Sequence, residues 1–178
     1  ARIAERAVRA LWDAGVPREV LHLLCGTGEA VGAPLVADAR IKGVLFTGST
    51  EVARLIQTCL ADRLLPDGQP VPLIAETGGQ NAMIVDSSAL LEQVTADVLQ
   101  SAFDSAGQRC SALRVLCVQT EAADALLDMI KGAMRELRVG PAWELSTDVG
   151  PVIDEPARQG IEAHVQRMRG LGFPVERA

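Results

Sequence analysis

The stretch GVLFTGSTEVARLIQTCLADRLL, residues 43–65, decides how the chain is expected to fold. Its first six residues form a short apolar run typical of a strand, and the segment from Ser49 to Leu65 has the apolar spacing of a helix. A Gly-Ser turn joins the two. Strands that lead through tight turns directly into helices build parallel sheets covered by helices. The stretch therefore predicts an α/β fold, in which ligands bind at the carboxyl ends of the strands.

The same alternation continues on both sides of this stretch. Before it, the sequence predicts a helix that ends at Gly15, a strand VLHLLC over residues 20–25, and a glycine turn that enters a helix over residues 26–38. After it, the predicted strands are LIAE, NAMIVD and LRVLCVQ, and the predicted helices span about residues 89–104 and 121–137, with an amphipathic helix last.

Length and composition limit the class of protein. The 178 residues fit one domain or parts of two, and a hydrophobic content of 48% supplies enough material for a core. We place a domain boundary near Gly78 and Gly79, between residues 1–77 and 78–178, because strand units with different connections meet there. The net charge of −6 argues against a nucleic-acid surface. Neither a membrane helix nor a signal pattern is recognisable, so a cytoplasmic protein is expected.

The four cysteines have neither a Cys-x-x-Cys pair nor a histidine at metal-ligand spacing, so neither a metal site nor a disulfide framework is predicted. Cys25, Cys59 and Cys117 fit the interpretation of core thiols, because cysteine is among the most buried residue types. Cys110, in SAGQRCSA, has two interpretations. It is a buried thiol, or it is a nucleophile whose neighbour Arg109 supplies positive field and whose small neighbours leave room for a substrate.

Two further turns contain candidate residues. In FTGSTEVAR, Gly48 and Ser49 can present a backbone N–H and a hydroxyl to a phosphate, or Ser49 can simply cap the following helix. In AETGGQN, Glu76 ends an apolar strand, where partial desolvation suits it to take a proton from water or a thiol. The alternative is a solvent-facing acid. Gly78 and Gly79 allow close approach of the backbone to a ligand, or a tight turn.

The order of these segments resembles the aldehyde dehydrogenase superfamily, in which FTGS, Glu-x-Gly-Gly and a GQxC cysteine follow one another. The resemblance extends from AGVPREVLHLLCGTGEAVG to TDVGPVID. Thr77 in AETGGQNAMIVDSSAL and Ser111 in SAFDSAGQRCSALRVL are most similar to the L-glutamate γ-semialdehyde (Δ1-pyrroline-5-carboxylate) dehydrogenase module of the bifunctional proline utilisation A flavoenzymes. The resemblance implies part of a Rossmann-type NAD-binding domain over residues 1–77, followed by part of the α/β catalytic domain over residues 78–178.

By this resemblance, the reaction is oxidation of the semialdehyde to glutamate with NAD as the hydride acceptor. Cys110 is the nucleophile, which forms a thiohemiacetal and then a thioester, and its backbone N–H donates to the developing oxyanion. Glu76 activates the water that hydrolyses the thioester. Ser111 is similar to the contact of the substrate carboxylate. The cofactor contacts implied are Gly48 and Ser49 at the pyrophosphate, Thr77 and Gly78 at the nicotinamide amide, and Gly28, Glu29 and Ala33 on the adenosine side.

The chain also departs from the family pattern. Ala53 replaces a glycine of the family, and segments for the oxyanion-hole asparagine, the ribose-binding lysine and the glutamate and phenylalanine that frame the nicotinamide ribose are not found. We therefore expect a central fragment with little turnover alone. The resemblance places FAD, and any DNA-binding module, in separate domains of a homo-oligomeric longer protein. Another aldehyde dehydrogenase, such as one for succinic semialdehyde, and a non-catalytic module of this fold stay as alternatives.

Overall fold

The computed structural model describes residues 2–177, and the chain divides into two compact units, Ala1–Thr77 and Gly78–Ala178. Both units are built from helices and parallel strand pairs, which confirms the predicted α/β class. A search of the described residues for a helix long and apolar enough to cross a membrane finds none.

Over residues 2–77, the first unit contains one parallel strand pair and three α-helices. In chain order its elements are α1 (Arg2–Asp13), α2 (Ala33–Ala37), β1 (Val44–Thr47), α3 (Thr50–Leu60) and β2 (Leu73–Glu76). Val44 lies opposite Leu73, and Thr47 lies opposite Glu76. The carboxyl ends of β1 and β2 therefore lie side by side, which brings the turn after β1 next to the end of β2.

Local chemistry explains where α3 begins. Ser49 has extended backbone, and its Oγ accepts a hydrogen bond of 3.2 Å from the Val52 N–H, which caps the first turn. The helix ends at Leu60, short of the predicted end at Leu65. Pro66 disfavours helical backbone at Leu65, so it limits the predicted end of the helix and does not explain the observed end at Leu60. In the segment that follows α3, the Arg63 guanidinium binds backbone carbonyls that follow α2, and its Nη2 donates to the Asp38 carbonyl oxygen at 2.9 Å.

The predicted strand over residues 20–25 is wrong. Val20 belongs to a 3-10 turn, and Leu21 has extended backbone with φ −137° and ψ 113°. Residues 21–25 belong to neither of the two strand pairs formed within residues 2–177. A strand needs a neighbouring strand for its ladder of hydrogen bonds, and an apolar run predicts only the extended conformation.

The second unit has its own strand pair and its own core. In chain order its elements are β3 (Asn81–Val85), α4 (Leu91–Phe103), β4 (Leu113–Val118), α5 (Thr120–Glu136) and α6 (Glu155–Gly170). β3 and β4 are parallel, with a register irregularity after Asn81, which lies opposite Leu113. The buried side chains of this core come from both strands, α4 and α5: Val85, Val98, Leu113, Leu126 and Ile130.

The other face of this strand pair is open to solvent. Ile84 on β3 is 85% exposed, and Cys117 on β4 is exposed as well. Side chains alternate between the faces of a strand, so Leu116 and Val118 pack on the core while Cys117 points away from it. The interpretation of Cys25, Cys59 and Cys117 as core thiols is wrong, since all three are exposed.

Candidate active site

Cys110 lies in the segment between α4 and β4, which we call the cysteine loop, residues 104–112. Ser105, Ala106 and Gly107 have left-handed backbone, with φ of 56°, 53° and 66°. Such backbone costs a non-glycine residue about 1–2 kcal/mol. Gly107 has a further reason to lack a side chain, since an added Cβ would lie 2.8 Å from the carbonyl oxygen of Ala102. The sharp reversal after α4 therefore stores strain beside the cysteine.

The thiol of Cys110 is exposed, so the interpretation as a buried core thiol does not apply. A nucleophile needs this access to its substrate. Arg109, next to it, pairs with Asp104, with 3.4 Å between Nη2 and Oδ2. Both side chains of this pair are about half exposed, at 45% and 51%. The carboxylate therefore offsets much of the positive field that the sequence assigned to Arg109.

Two side chains outside the cysteine loop bind its backbone carbonyls. The Asn81 amide, at the start of β3, donates to the Cys110 oxygen at 2.7 Å and to the Ala112 oxygen at 3.0 Å. Arg114, on β4, donates through Nη2 to the Gly107 oxygen at 2.7 Å and to the Arg109 oxygen at 3.4 Å. Side chains of β3 and β4 thus bind four carbonyl oxygens in the second half of the loop: those of Gly107, Arg109, Cys110 and Ala112.

Gln108 connects the cysteine loop to the segment before α6. Its Oε1 accepts a hydrogen bond of 2.7 Å from the Ile153 N–H, and its Nε2 donates to the Ser105 oxygen at 3.0 Å. Gly79 approaches the loop beside Asn81, because an added Cβ would lie 2.7 Å from the Cys110 oxygen and 3.1 Å from the Asn81 Nδ2. The close approach that the Gly-Gly pair predicts is therefore made by Gly79 to the backbone of the cysteine. Nothing lies within 4 Å of a Cβ added at Gly78.

Sequence reasoning missed the four residues that hold the loop: Gly79 as a contact of Cys110, and Asn81, Gln108 and Arg114 as hydrogen-bonding side chains. The short strings GGQN and GQRC contained three of them. The two hydrogen-bond acceptors of Asn81 lie 29 and 31 positions further along the chain, and Ile153 lies 45 positions after Gln108. No local sequence pattern could therefore assign these contacts.

Ser111 lies at the rim of a groove in the second unit. The groove has a volume of about 370 Å³ and is lined by Met83, Asp97, Gln100, Ser101, Arg109 and Ser111. Ser111 is exposed, so its hydroxyl can reach a ligand in this groove. The groove contains an acid and a guanidinium, so it offers polar groups of both signs.

In the first unit, the turn after β1 combines a cap with a strand contact. The Gly48 N–H donates to the backbone carbonyl oxygen of Glu76 at 3.1 Å, so this N–H is not available to a phosphate. Ser49 caps α3, as one of its two interpretations predicts. The backbone N–H groups that begin α3 remain the better donors for an anion at this turn. A Cβ added at Gly48 would lie 2.5 Å from the Phe46 ring.

Glu76 is the last residue of β2, and its side chain is exposed. The partial desolvation expected from its place at the end of an apolar strand is therefore not found. β2 pairs with one neighbour only, and Ile74 on the same strand is also 59% exposed, so the strand supplies little apolar cover. Thr77, which follows, is half-buried, while Gly78 is exposed.

The residues predicted for the adenosine side come together around one apolar cavity of about 350 Å³. Gly28 and Glu29 belong to a wide helical turn over Gly28–Gly32 that continues into α2, and Thr27 caps it by accepting from the Ala30 N–H at 3.3 Å. The lining comes from this turn, α2, β1 and α3: Gly28, Glu29, Gly32, Ala33, Val36, Val44, Phe46, Val52, Leu55, Ile56 and Cys59. Hydrogen bonds from its own backbone N–H, and next from Thr27, lower the pKa of Glu29.

The fold and these sites define the class of protein. A model of the aldehyde dehydrogenase family matches residues 1–176, and the chain belongs to this family. Bifunctional protein PutA of Klebsiella aerogenes is 62% identical over 176 residues, which cover 99% of this chain and 13% of that protein.

Solved structures agree with this relationship. The structure of proline utilization A (PutA) from Bradyrhizobium japonicum has a TM-score of 0.88 and 54% identity, covering 95% of this chain and 17% of that one. The 1-pyrroline-5-carboxylate dehydrogenase from Thermus with bound NAD has a TM-score of 0.78 and 35% identity, covering 86% of this chain and 30% of that one. The chain thus spans a small part of the length of these relatives.

Proposed function

We propose that this chain carries the nucleophile, the base and part of the cofactor site of an enzyme that oxidises L-glutamate γ-semialdehyde, formed from Δ1-pyrroline-5-carboxylate, to L-glutamate in proline catabolism. The similarity to PutA and to 1-pyrroline-5-carboxylate dehydrogenase supports this substrate. The observation that carries the proposal is the exposed thiol of Cys110 on a loop fixed by Asn81 and Arg114.

The chain's own residues have separate roles in this reaction. The sulfur of Cys110 attacks the aldehyde carbon as the thiolate, its proton having passed through Glu76 to solvent, and the carbonyl oxygen becomes the oxyanion of a thiohemiacetal, to which the Cys110 N–H donates. When the oxyanion collapses, the carbon loses its hydrogen as hydride and a thioester remains. Glu76 takes a proton from water, which attacks the thioester and releases the carboxylate and the Cys110 thiolate. The exposed carboxylate of Glu76 is accessible to water.

The residues of the first unit fit NAD, which supplies the hydride acceptor when it is bound. The apolar cavity suits a flat adenine ring, and Gly28 and Ala33 leave space at its wall. Glu29 also lines this cavity, and its carboxylate can accept from ribose hydroxyls. The first turn of α3, next to Gly48 and Ser49, offers N–H groups to a pyrophosphate. Thr77 and Gly78 are proposed for the nicotinamide amide.

The two units then have distinct roles. Residues 1–77 are proposed as the later half of the NAD-binding domain, and residues 78–178 as the first part of the catalytic domain. Ser111 is proposed to donate its hydroxyl to the substrate carboxylate, which distinguishes glutamate semialdehyde from aldehydes without a carboxylate at that distance. FAD is proposed only for a separate proline dehydrogenase domain outside these residues.

The decisive variant is Cys110→Ala in the full natural protein, assayed with glutamate semialdehyde and NAD. We expect kcat to fall by at least about 10³-fold, because the covalent route is lost. Cys117→Ala is the matched control, since it removes another exposed thiol of the second unit from the far part of β4, and its kcat should stay within about twofold. Undiminished activity of Cys110→Ala would identify the chain as a non-catalytic module. Equal kcat/KM for succinic semialdehyde would refute the proposed substrate.

A further inference from the structure

The backbone of the cysteine loop is held by its carbonyl oxygens. Asn81 uses both hydrogens of its amide, one for the Cys110 oxygen at 2.7 Å and one for the Ala112 oxygen at 3.0 Å. Arg114 binds the Gly107 oxygen at 2.7 Å. Cys110 is exposed, whereas Gly107 and Ala112 are buried. The two side chains therefore both satisfy carbonyls of buried residues and orient the peptides of the loop.

Orienting a carbonyl also orients the next N–H. In a trans peptide, the C=O of one residue and the N–H of the next point in opposite directions, and all peptides in the described chain are trans. With the Cys110 oxygen turned toward Asn81, the Ser111 N–H points away from Asn81. With the Arg109 oxygen turned toward Arg114 and bonded to the Ala112 N–H at 3.1 Å, the Cys110 N–H points away from β4.

Both of these N–H groups are free to bind a ligand. Within residues 2–177, neither the Cys110 nor the Ser111 N–H has a hydrogen-bond acceptor. They lie on the residue that carries the exposed thiol and on the residue that follows it, so both are available to an oxygen on the carbon that the thiol attacks. Donors that are fixed before the reaction stabilise an oxyanion most effectively.

We propose that Asn81 is a positioning residue for the reaction of Cys110: by binding the Cys110 carbonyl, it holds the Ser111 N–H of the same peptide in the orientation that receives the oxyanion, beside the Cys110 N–H, whose peptide Arg114 holds through the Arg109 carbonyl. This inference rests on the proposed function. Asparagine suits the position because one planar amide donates twice. Serine can donate once, alanine and aspartate not at all. Gly79 leaves the space in which the Cys110 carbonyl turns toward Asn81.

The register of the two strands explains how Asn81 and Arg114 act together. Asn81 lies opposite Leu113, but the next pair is Ala82 with Val115. Arg114 is therefore an extra residue on β4, which gives a bulge at the start of the sheet. A bulge re-aims side chains, and here it directs Arg114 back toward the cysteine loop. The loop carbonyls thus receive donors from both strands of the pair.

The test compares Asn81→Ala with a matched control in the full natural protein. We expect kcat for semialdehyde oxidation to fall about 10²-fold, the lower end of the loss when an oxyanion donor is removed, while KM changes less than about threefold. Gln119→Ala is the control, because the Gln119 Oε1 accepts from the Ser87 N–H at 2.9 Å and links the same two strands at their other end. It should lower the unfolding temperature comparably and keep kcat within about twofold.

Two more variants keep the test decisive. Asn81→Ser, which retains one donor, should recover part of kcat, and Asn81→Asp should lose at least as much as Asn81→Ala, since its carboxylate faces two carbonyls without a hydrogen. If Asn81→Ala does not fold, Asn81→Ser and Asn81→Asp take its place against the same control. A loss of kcat no larger than that of Gln119→Ala overturns the inference.

A second measurement separates this inference from the proposed function. Amide hydrogen exchange of a peptide over residues 105–113 should be faster in Asn81→Ala than in the natural protein and unchanged in Gln119→Ala. If the natural protein does not oxidise the semialdehyde, the proposed function fails, while faster exchange in that peptide still supports the holding of the loop by Asn81. Unchanged exchange in Asn81→Ala overturns it whether or not the aldehyde is oxidised.

Discussion

At the scale of single residues, the backbone of the cysteine loop depends on two glycines that have no side chain as much as on the side chains that bind it. Gly79 has no side chain where one would lie 2.7 Å from the Cys110 oxygen, and Gly107 has none where one would lie 2.8 Å from the Ala102 oxygen. Real Cβ atoms do not approach oxygen so closely, so a methyl group at either position moves the backbone. Because this backbone carries Cys110, a side chain at either position is expected to affect the proposed reaction.

Gly79→Ala is therefore expected to lower kcat at least about tenfold, since a displacement of about 1 Å at a reacting group can cost as much as 10²-fold. Steady-state assay of the full natural protein measures this. Gly132→Ala is the control: Gly132 lies within α5, nothing lies within 4 Å of its added Cβ, and alanine is the better helix former by about 0.5–1 kcal/mol. Equal activity of the two variants would show that the loop accommodates the methyl group.

Individual residues also show what the sequence could reveal. The exposed Cys110 and the capping role of Ser49 depend on neighbours in the chain, and both were among the predicted alternatives. The contact of Gln108 with Ile153 joins residues 45 positions apart, and no local rule could assign it. Of the two interpretations of Glu76, the structure shows the solvent-facing acid; the sequence could not decide between them, because the desolvation of a strand end depends on which elements cover it.

At the scale of elements, the strand-turn-helix unit β1–α3 was predictable because its parts follow one another. An apolar run, a Gly-Ser turn and a cap with Glu51 in the first helical turn all agree on one structure. The segment over residues 21–25 was not predictable from its own composition, because its state depends on a distant pairing partner. The end of α3 at Leu60 was not predictable either, since Pro66 restricts only Leu65, and the bonds that Arg63 makes after the helix reach carbonyls 25 and 22 positions away.

The beginning of α3 allows the cap and the anion site to be tested separately. Ser49→Asp keeps a good cap, so amide exchange of residues 50–60 should stay as slow as in the natural protein. Its negative charge near the pyrophosphate should nevertheless raise the KM for NAD at least about tenfold, as a loss of roughly 1.4 kcal/mol or more would do. Ser49→Ala should speed exchange of α3, because the Val52 N–H loses its acceptor at a cost of about 1 kcal/mol.

Asp154→Ala is the matched control for this pair. The Asp154 Oδ1 caps α6 by accepting from the Ala157 N–H at 2.9 Å, in the second unit and without a predicted role in cofactor binding. Its loss should speed exchange of α6 and leave the KM for NAD unchanged. If Ser49→Asp leaves that KM unchanged as well, Ser49 is a cap without a role at the pyrophosphate.

At the scale of the whole molecule, the chain exposes more surface than its mass suggests. Its accessible surface is 13192 Å², whereas two separate compact domains of half its 18.8 kDa each would expose about 10,000 Å² in total. Much of the excess is apolar, with Ile84 at 85%, Trp143 at 84% and Leu145 fully exposed. Apolar patches of this kind are usually covered by another segment or partner. Bifunctional protein PutA of Klebsiella aerogenes, of which the chain spans 13%, is long enough to contain such cover.

The last prediction concerns residues 1–178 expressed alone. We expect kcat/KM for glutamate semialdehyde below about 1% of that of the full natural protein, since the chain spans 13% of the Klebsiella aerogenes PutA and each preorganised donor or cofactor contact supplied by the rest of such a protein would be worth about 10²-fold or more. The two are compared at equal molar concentration with NAD, and circular dichroism shows whether the helices have formed. Turnover above a tenth of the full protein's value would contradict the prediction. Low turnover from a folded chain would locate the missing groups outside residues 1–178, because Cys110, Glu76 and Ser111 are all present.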